Sequence, residues 1–374
     1  MGYSYDEILL SLKEHHSIEL GKRQLHRILR QSNLYRRKNK NTTNAILLAV
    51  NDEIQNRTGR SFGYRAMHQK LRLKGYTTDR ETVRLTIKAL DPEGVSMRKA
   101  HKLVRRKYFA RGPNFLWHVD GYDKLKPYGF TIHGAIDGYS RRILWLRVGR
   151  TNNDPKIVGS YFLRCIEHLK NVPRCVRTDR GSENIIIAGI QRYFRRNGTD
   201  QMAGQASFMF GTSTSNQRIE SWWSIFKRNR ASLWINIFKD MIDTAIFNPG
   251  IPFHVECARF CFLPLLQTEL DETVTLWNSH RIRKVKNSDS PAGRPDILYF
   301  SPSMSNATEC GFPLINGDSN IAAQMIEDPD VLPCSSDMHE LCKRLMANYG
   351  YSFPVDATSA KELFVSLVQI IEQL

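Results

Sequence analysis

With 374 residues, 41% of them hydrophobic, the chain is long enough for two or three domains with sizeable cores. No apolar run approaches a membrane span, and residues 1–10 lack the basic start and apolar middle of a signal peptide, which argues against a membrane or secreted protein. Net charge is +17, distributed as +14 over residues 1–110, +10 over 111–300 and −7 over 301–374. A basic front and middle with an acidic tail point to a polyanionic partner, most simply nucleic acid, against the alternative of a solvated basic face. The seven cysteines are odd in number and scattered, as free thiols in a reducing compartment are. Cys257 and Cys261 have no second Cys/His pair at zinc spacing and read as core.

The front reads as short helices in pairs. Ile8, Leu9 and Leu12 form one apolar stripe, Gly21 interrupts, and Leu25, Ile28 and Leu29 form a second. The other face of the second helix carries Lys22, Arg23, Gln24, His26, Arg27 and Arg30, the pattern of a helix-turn-helix over residues 1–40. Arg27 and Arg30 are its candidate DNA contacts. For the basic run at 36–40, a linker, a phosphate contact and a nuclear-import signal stay open, and a nuclear location is the expectation.

A second helical segment spans 41–112. Val50 and Ile54 belong to a helix ending near Gly59. Tyr64, Met67, His68 and Leu71 make another, closed by Gly75. Asp79 caps a third, with Val83, Ile87 and Leu90 inward and Arg80, Thr82, Arg84 and Lys88 outward. Arg80 and Arg84 are its DNA candidates. The basic stretch 98–111, with Lys102, Arg105 and Arg106, reads as a linker that follows phosphates.

From residue 114 the texture changes to strands. In NFLWHVDGYDKLKPYGF (114–130), Phe115, Trp117 and Val119 point one way and Leu116, His118 and Asp120 the other. This strand is expected to end on Asp120, with Gly121 loosening the chain directly after it. A second strand follows at 130–136, a hairpin turn at Asp137-Gly138, and a third strand at 143–148. Asp154-Pro155 opens a helix with Ile157, Val158, Tyr161, Phe162, Cys165, Ile166 and Leu169 on its buried stripe. A short strand at 175–178 ends at Asp179. Residues 185–196 are helical, 207–210 form a fifth strand, and 211–215 form a small, polar, mobile loop. From Asn216 a helix carries Glu220, Trp222, Trp223 and Phe226. This order describes an α/β domain with a mixed sheet, of the ribonuclease-H type. With further helices over 235–277 and a basic exit at His280, Arg281, Arg283, Lys284 and Lys286, it spans 113–300. Residues 301–374 read as an acidic helical domain, with stripes at Leu341, Leu345 and Met346 and at Leu363, Leu367, Ile370 and Ile371.

Three motifs, WHVDG, RTDRGSEN and NQRIESWW, resemble the D,D,E core of retroviral integrases and of related insertion-sequence transposases. The run HVDGYDKLKPYGF…HGAIDGYSR…ILWL is similar to integrase-core-domain proteins of animal genomes, and HRIRKVKNSDSPAGRPDILYF to the segment ending many transposase cores. The resemblance covers about 114–300. It implies that Asp120, Asp179 and Glu220 are catalytic and bind two Mg²⁺ (or Mn²⁺) ions, Asp120 bridging both. It also implies DNA as partner and a homo-oligomer on that DNA. The chemistry is consistent: three anions held together repel and raise their pKa values, and hard divalent ions with oxygen ligands remove that cost. Two ions then support in-line displacement at phosphorus.

Asp120 and Asp179 stand 59 residues apart, and Asp179 and Glu220 stand 41 apart. The second gap is longer than in retroviral integrases and predicts an extended loop before Glu220. Asp123 lies beyond the strand, Asp137 in the hairpin turn, and Glu183 where a carboxylate suits a helix N-terminus; none of the three is taken as a ligand. Ser224 and Lys227 share the face of Glu220. The resemblance implies basic residues at both positions, so Lys227 is the phosphate candidate, with Asn216 and Gln217 as further DNA contacts. Trp222 and Trp223 read as helix packing. Three functions stay open: a DDE-type polynucleotidyl transferase performing DNA cleavage and strand transfer, a domesticated DNA-binding protein without catalysis, and a ribonuclease-H-like nuclease that does not join.

Overall fold

The computed structural model of the chain describes residues 4–34, 41–55, 62–97, 110–211, 216–284, 290–315, 317–326 and 332–373. The basic run at 36–40, Gly59, Lys102, Arg105, Arg106, Lys286 and residues 212–215 of the expected mobile loop lie outside the described residues. In chain order the front helices are α1 (Tyr5–His16), α2 (Lys22–Gln31), α3 (Thr43–Gln55), α4 (Tyr64–Leu73), α5 (Arg80–Leu90) and α6 (Pro92–Met97). There follow β1 (Trp117–Tyr122), β2 (Thr131–Asp137), β3 (Ile143–Gly149), α7 (Pro155–Leu169), β4 (Asn171–Val172), β5 (Val176–Thr178), α8 (Ile185–Phe194), β6 (Phe208–Phe210) and α9 (Gln217–Phe226). The chain ends with α10 (Ser232–Asp243), α11 (Pro252–Ser279), α12 (Pro295–Phe300), β7 (Phe312–Pro313), α13 (Asp318–Ala323), α14 (Ser336–Tyr349) and α15 (Ala357–Ile371). Among the described residues no helix is long and apolar enough to cross a membrane.

The chain divides into two compact units, both discontinuous in sequence: Met1–Phe109 with Leu276–Thr308, and Ala110–Thr275 with Glu309–Leu374. The second is built on a five-stranded mixed sheet of order β3-β2-β1-β5-β6, with β1, β2 and β3 antiparallel and β5 and β6 parallel to β1. Trp117, Val119, Ala135 and Trp145 bury one face of the sheet against Val158, Phe162 and Ile166 of α7 and Ile187, Ile190 and Phe194 of α8. Asp154 opens α7, accepting from the Lys156 backbone N–H at 2.9 Å, one residue before Pro155 at the first helical position. On the other face Trp223 of α9 lies over Gly134 of β2, where an added Cβ would come within 3.1 Å of the indole. This is a ribonuclease-H-like core with helices on both faces.

Two local expectations are corrected. β1 does not end at Asp120 but continues to Tyr122. Gly121 therefore loosens nothing; it makes room for Asn152, whose Nδ2 would lie 2.7 Å from a Cβ there. The acidic tail does not stand apart either. β7 pairs with β4, Asp318 meets Arg196 at 2.9 Å, and the Ser335 N–H donates to Glu256 at 2.6 Å. Phe364 of α15 lies edge-on to Phe247 at 5.7 Å.

The first unit has its own core: Ile46, Val50 and Ile54 of α3, Met67 and Leu71 of α4, and Val83 and Ile87 of α5, with Leu276 packed against them. Buried Glu53 is neutralised by Lys70 at 2.9 Å and by Lys74. Asp79 caps α5 through the Thr82 N–H at 2.8 Å. The segment 276–308 completes this unit: Arg294 pairs with Glu7 of α1 at 2.6 Å, and the Ser303 hydroxyl donates to Glu14 at 2.8 Å.

Candidate active site

Asp120 sits in β1 opposite Gly134 of β2. Asp179 follows β5 directly, and β5 runs parallel to β1 with His118 opposite Arg177; continuing that register sets Asp179 beside Asp120. Glu220 occupies the first turn of α9. Two strands and one helix thus present the three carboxylates at one end of the sheet.

Asp120 and Asp179 are placed by groups of the protein. The Trp223 indole N–H donates to Asp120 Oδ2 at 3.0 Å. The Gly181 N–H and the Asn184 amide both donate to Asp179 Oδ1 at 3.1 Å, leaving Oδ2 without a hydrogen bond among the described residues. Asn184 also donates to Glu183 Oε1 at 3.0 Å. Between β1 and the start of α9, His118 Nδ1 and Asn216 Oδ1 are 2.7 Å apart, and Asn216 Nδ2 donates to the Val119 carbonyl at 2.8 Å.

The electrostatics show how close the anions are. Burial, then the Glu220 and Asp179 carboxylates, push Asp120 up to about 7, against the opposing bonds from Trp223 and the Gly121 backbone. Glu220 is raised by burial and then by Asp179. Glu183 is raised mainly by burial, with Asp179 and Asp123 adding to it. Repelling carboxylates with oxygen donors alone suit a hard divalent cation, which would remove that repulsion. Among the described residues no three His, Cys, Asp or Glu side chains stand at metal-ligand spacing. As placed, the carboxylates are neighbours rather than a closed coordination shell.

The structure sorts the other predicted residues. Lys227 is exposed at the end of α9, where the helix widens into a π turn over Lys227–Ala231 that carries it into α10. Gln217 is half-buried at the first position of α9. Arg27, Arg30 and Arg80 are exposed, whereas Arg84 is bound to Glu81 of its own helix at 2.8 Å. Asn216 is a correction: it is 1% exposed and its amide is spent on His118 and Val119, so its side chain is closed to DNA. The loop before Glu220 is not extended, since β6 ends at Phe210 and α9 starts at Gln217. The long gap is filled instead by α8 and the turns that follow it. Asp137 is no passive turn residue. Fully buried, it accepts from the N–H groups of Asn114, Tyr139 and Ser140 and from the Ser140 hydroxyl. Sequence reasoning missed Trp223, Asn184 and the His118–Asn216 pair as supports of the site. The available signals were His118 inside an apolar strand and Asn184 beside Glu183.

A row of partly buried carboxylates thus stands at one end of a ribonuclease-H-like sheet. Residues 107–309 match the integrase core domain family, and the chain belongs to that family. No curated protein matches the chain. An integrase core implies DNA as the partner.

Proposed function

We propose that the chain is a divalent-cation-dependent polynucleotidyl transferase that cleaves DNA and joins the cut end to a second DNA. The observation that carries this reading is that β1, the end of β5 and the first turn of α9 bring Asp120, Asp179 and Glu220 to one end of the sheet of an integrase core, where Glu220 and Asp179 both oppose the ionisation of Asp120. These three residues would hold Mg²⁺ or Mn²⁺, with Asp120 standing between the other two carboxylates. Such ions, when bound, activate a water or a 3′-hydroxyl and stabilise the leaving oxygen. Trp223 and Asn184 orient Asp120 and Asp179. Exposed Lys227 binds a phosphate near the site, and Arg27, Arg30, Arg80, Lys102, Arg105 and Arg106 neutralise further phosphates. The working form is a homo-oligomer on DNA.

The test is Mg²⁺- or Mn²⁺-dependent cleavage and joining by the Asp120→Asn, Asp179→Asn and Glu220→Gln variants. Each should lose on the order of a thousandfold or more in rate while folding and DNA binding persist. Asp123→Asn is the control, its carboxylate accepting from the Asn152 amide at 2.8 Å. Near-full activity of Glu220→Gln with loss in Glu183→Gln would move the third ligand to Glu183. Absence of any divalent-cation binding near neutral pH would remove the enzyme reading and leave DNA binding without catalysis.

A further inference from the structure

Asn216 breaks a local rule. It stands at the N-cap of α9, where an asparagine side chain ordinarily accepts from the helix's own first N–H groups, yet it makes no such bond. Its amide instead crosses to β1. Oδ1 meets His118 Nδ1 at 2.7 Å and Nδ2 donates to the Val119 carbonyl at 2.8 Å, next to Asp120. Because Asn216 Oδ1 can only accept, His118 carries its proton on Nδ1. Both residues are buried, at 1% and 0% exposure. A buried imidazole inside a strand and a buried amide at a helix start are each unfavourable alone, and here each gives the other a partner. The bond spans the two elements that carry Asp120 and Glu220, four residues from Glu220 and two from Asp120.

We propose that His118 and Asn216 are positioning residues that fix the start of α9 on β1 and thereby set Glu220 against Asp120 for cation binding. This rests on the reading above that the carboxylates bind a divalent cation. The placement of Glu220 is then set by a buried side-chain bond between β1 and the start of α9.

Mn²⁺ binding to the full chain, measured by calorimetry alongside the thermal melt of the metal-free protein, tests this. Asn216→Ser restores a cap-competent side chain at the helix start but cannot reach His118. It should bind Mn²⁺ about tenfold to a hundredfold more weakly, the range for residues that orient metal ligands. His118→Ala should lose a similar factor, and the double variant little more than either. His118→Gln, which keeps a donor on a comparable reach, should recover most of the affinity. If Asn216→Ser fails to fold, Asn216→Gln carries the test, since it retains the amide but displaces it by one methylene. Unchanged Mn²⁺ affinity in folded Asn216 variants, with Asp120→Asn and Glu220→Gln losing it, would show that the pair serves the fold alone. If the unmutated chain binds no Mn²⁺, the positioning role falls together with the cation reading.

Discussion

Trp223 packs and hydrogen-bonds at once. Its ring lies 5.1 Å from Tyr122 and 5.0 Å from Trp222, and its N–H reaches Asp120. Trp223→Phe keeps the aromatic packing and removes one donor from a carboxylate, a bond worth about 1.5–3 kcal/mol when the acceptor is charged. The expected result is severalfold weaker Mn²⁺ binding by calorimetry with the fold retained. Gly134→Val should be worse, because a side chain there meets the indole itself. A second residue is expected to contribute to acid stability. His133 is fully buried, accepts from the Trp145 indole N–H at 3.1 Å on Nδ1, and is pushed down to about 3 by burial. Its folded pKa lies below its unfolded value of about 6.5. The stability tied to its neutral form is therefore present above that value and is lost as pH falls toward 3. One such group contributes a slope of up to about 1.4 kcal/mol per pH unit. His133→Gln keeps an acceptor for Trp145 and cannot titrate. Urea midpoints at pH 7, 6 and 5 should fall less steeply in the variant, and equal slopes would remove His133 from the acid limb.

At the scale of elements, the two proposed DNA-reading helices differ. Arg27 and Arg30 on α2 are exposed, while Arg84 on α5 is paired with Glu81 on its own helix. Charge reversal of Arg27 and Arg30 should weaken duplex binding strongly and lower the salt slope by about one for each phosphate no longer neutralised. Arg84→Glu should do less, and Glu81→Gln, which frees Arg84, should tighten binding at low salt. Fluorescence anisotropy at two salt concentrations reads all three, and an Arg84 effect as large as that of Arg27 would reverse the ranking. Elements of this kind were legible in the sequence because local chemistry dictates them. The Asp154-Pro155 start of α7, the Asp79 cap of α5 and the strand alternation around Val119 all depend on residues within one turn or one pleat. The elements that carry the three candidate carboxylates were legible because each carboxylate falls beside such a signal. What was not legible depends on distant partners. Asn216 looks like a surface cap until His118, 98 residues earlier, is brought to it, and Trp223 looks like packing until Asp120 lies beneath its N–H. Asp137 looks like a turn residue until four donors close on it.

On the scale of the whole molecule, both compact units are discontinuous in sequence, which composition does not show. The charge change near residue 301 suggested a domain boundary, yet residues 309–374 supply a β-partner for Asn171–Val172 and cover Phe247 and Phe260. Truncation after Thr308 should therefore lower the melting temperature of the sheet unit and expose apolar surface to dye, rather than simply release a tail. A truncated protein with an unchanged melt would make 309–374 an independent module after all. In the other unit, Arg294→Met breaks a largely buried pair with Glu7 and should cost about 3 kcal/mol, the scale for removing one partner of such a pair. The same closure has a consequence for synthesis. The ribosome delivers residues 1–109 first, but Leu276–Thr308 arrives only after the entire sheet has been made, on the order of ten seconds later at ordinary elongation rates. A prematurely terminated product carries the basic helices without the segment that completes their unit. Translation order thus makes completion of the helical unit wait on synthesis of the sheet of the other unit.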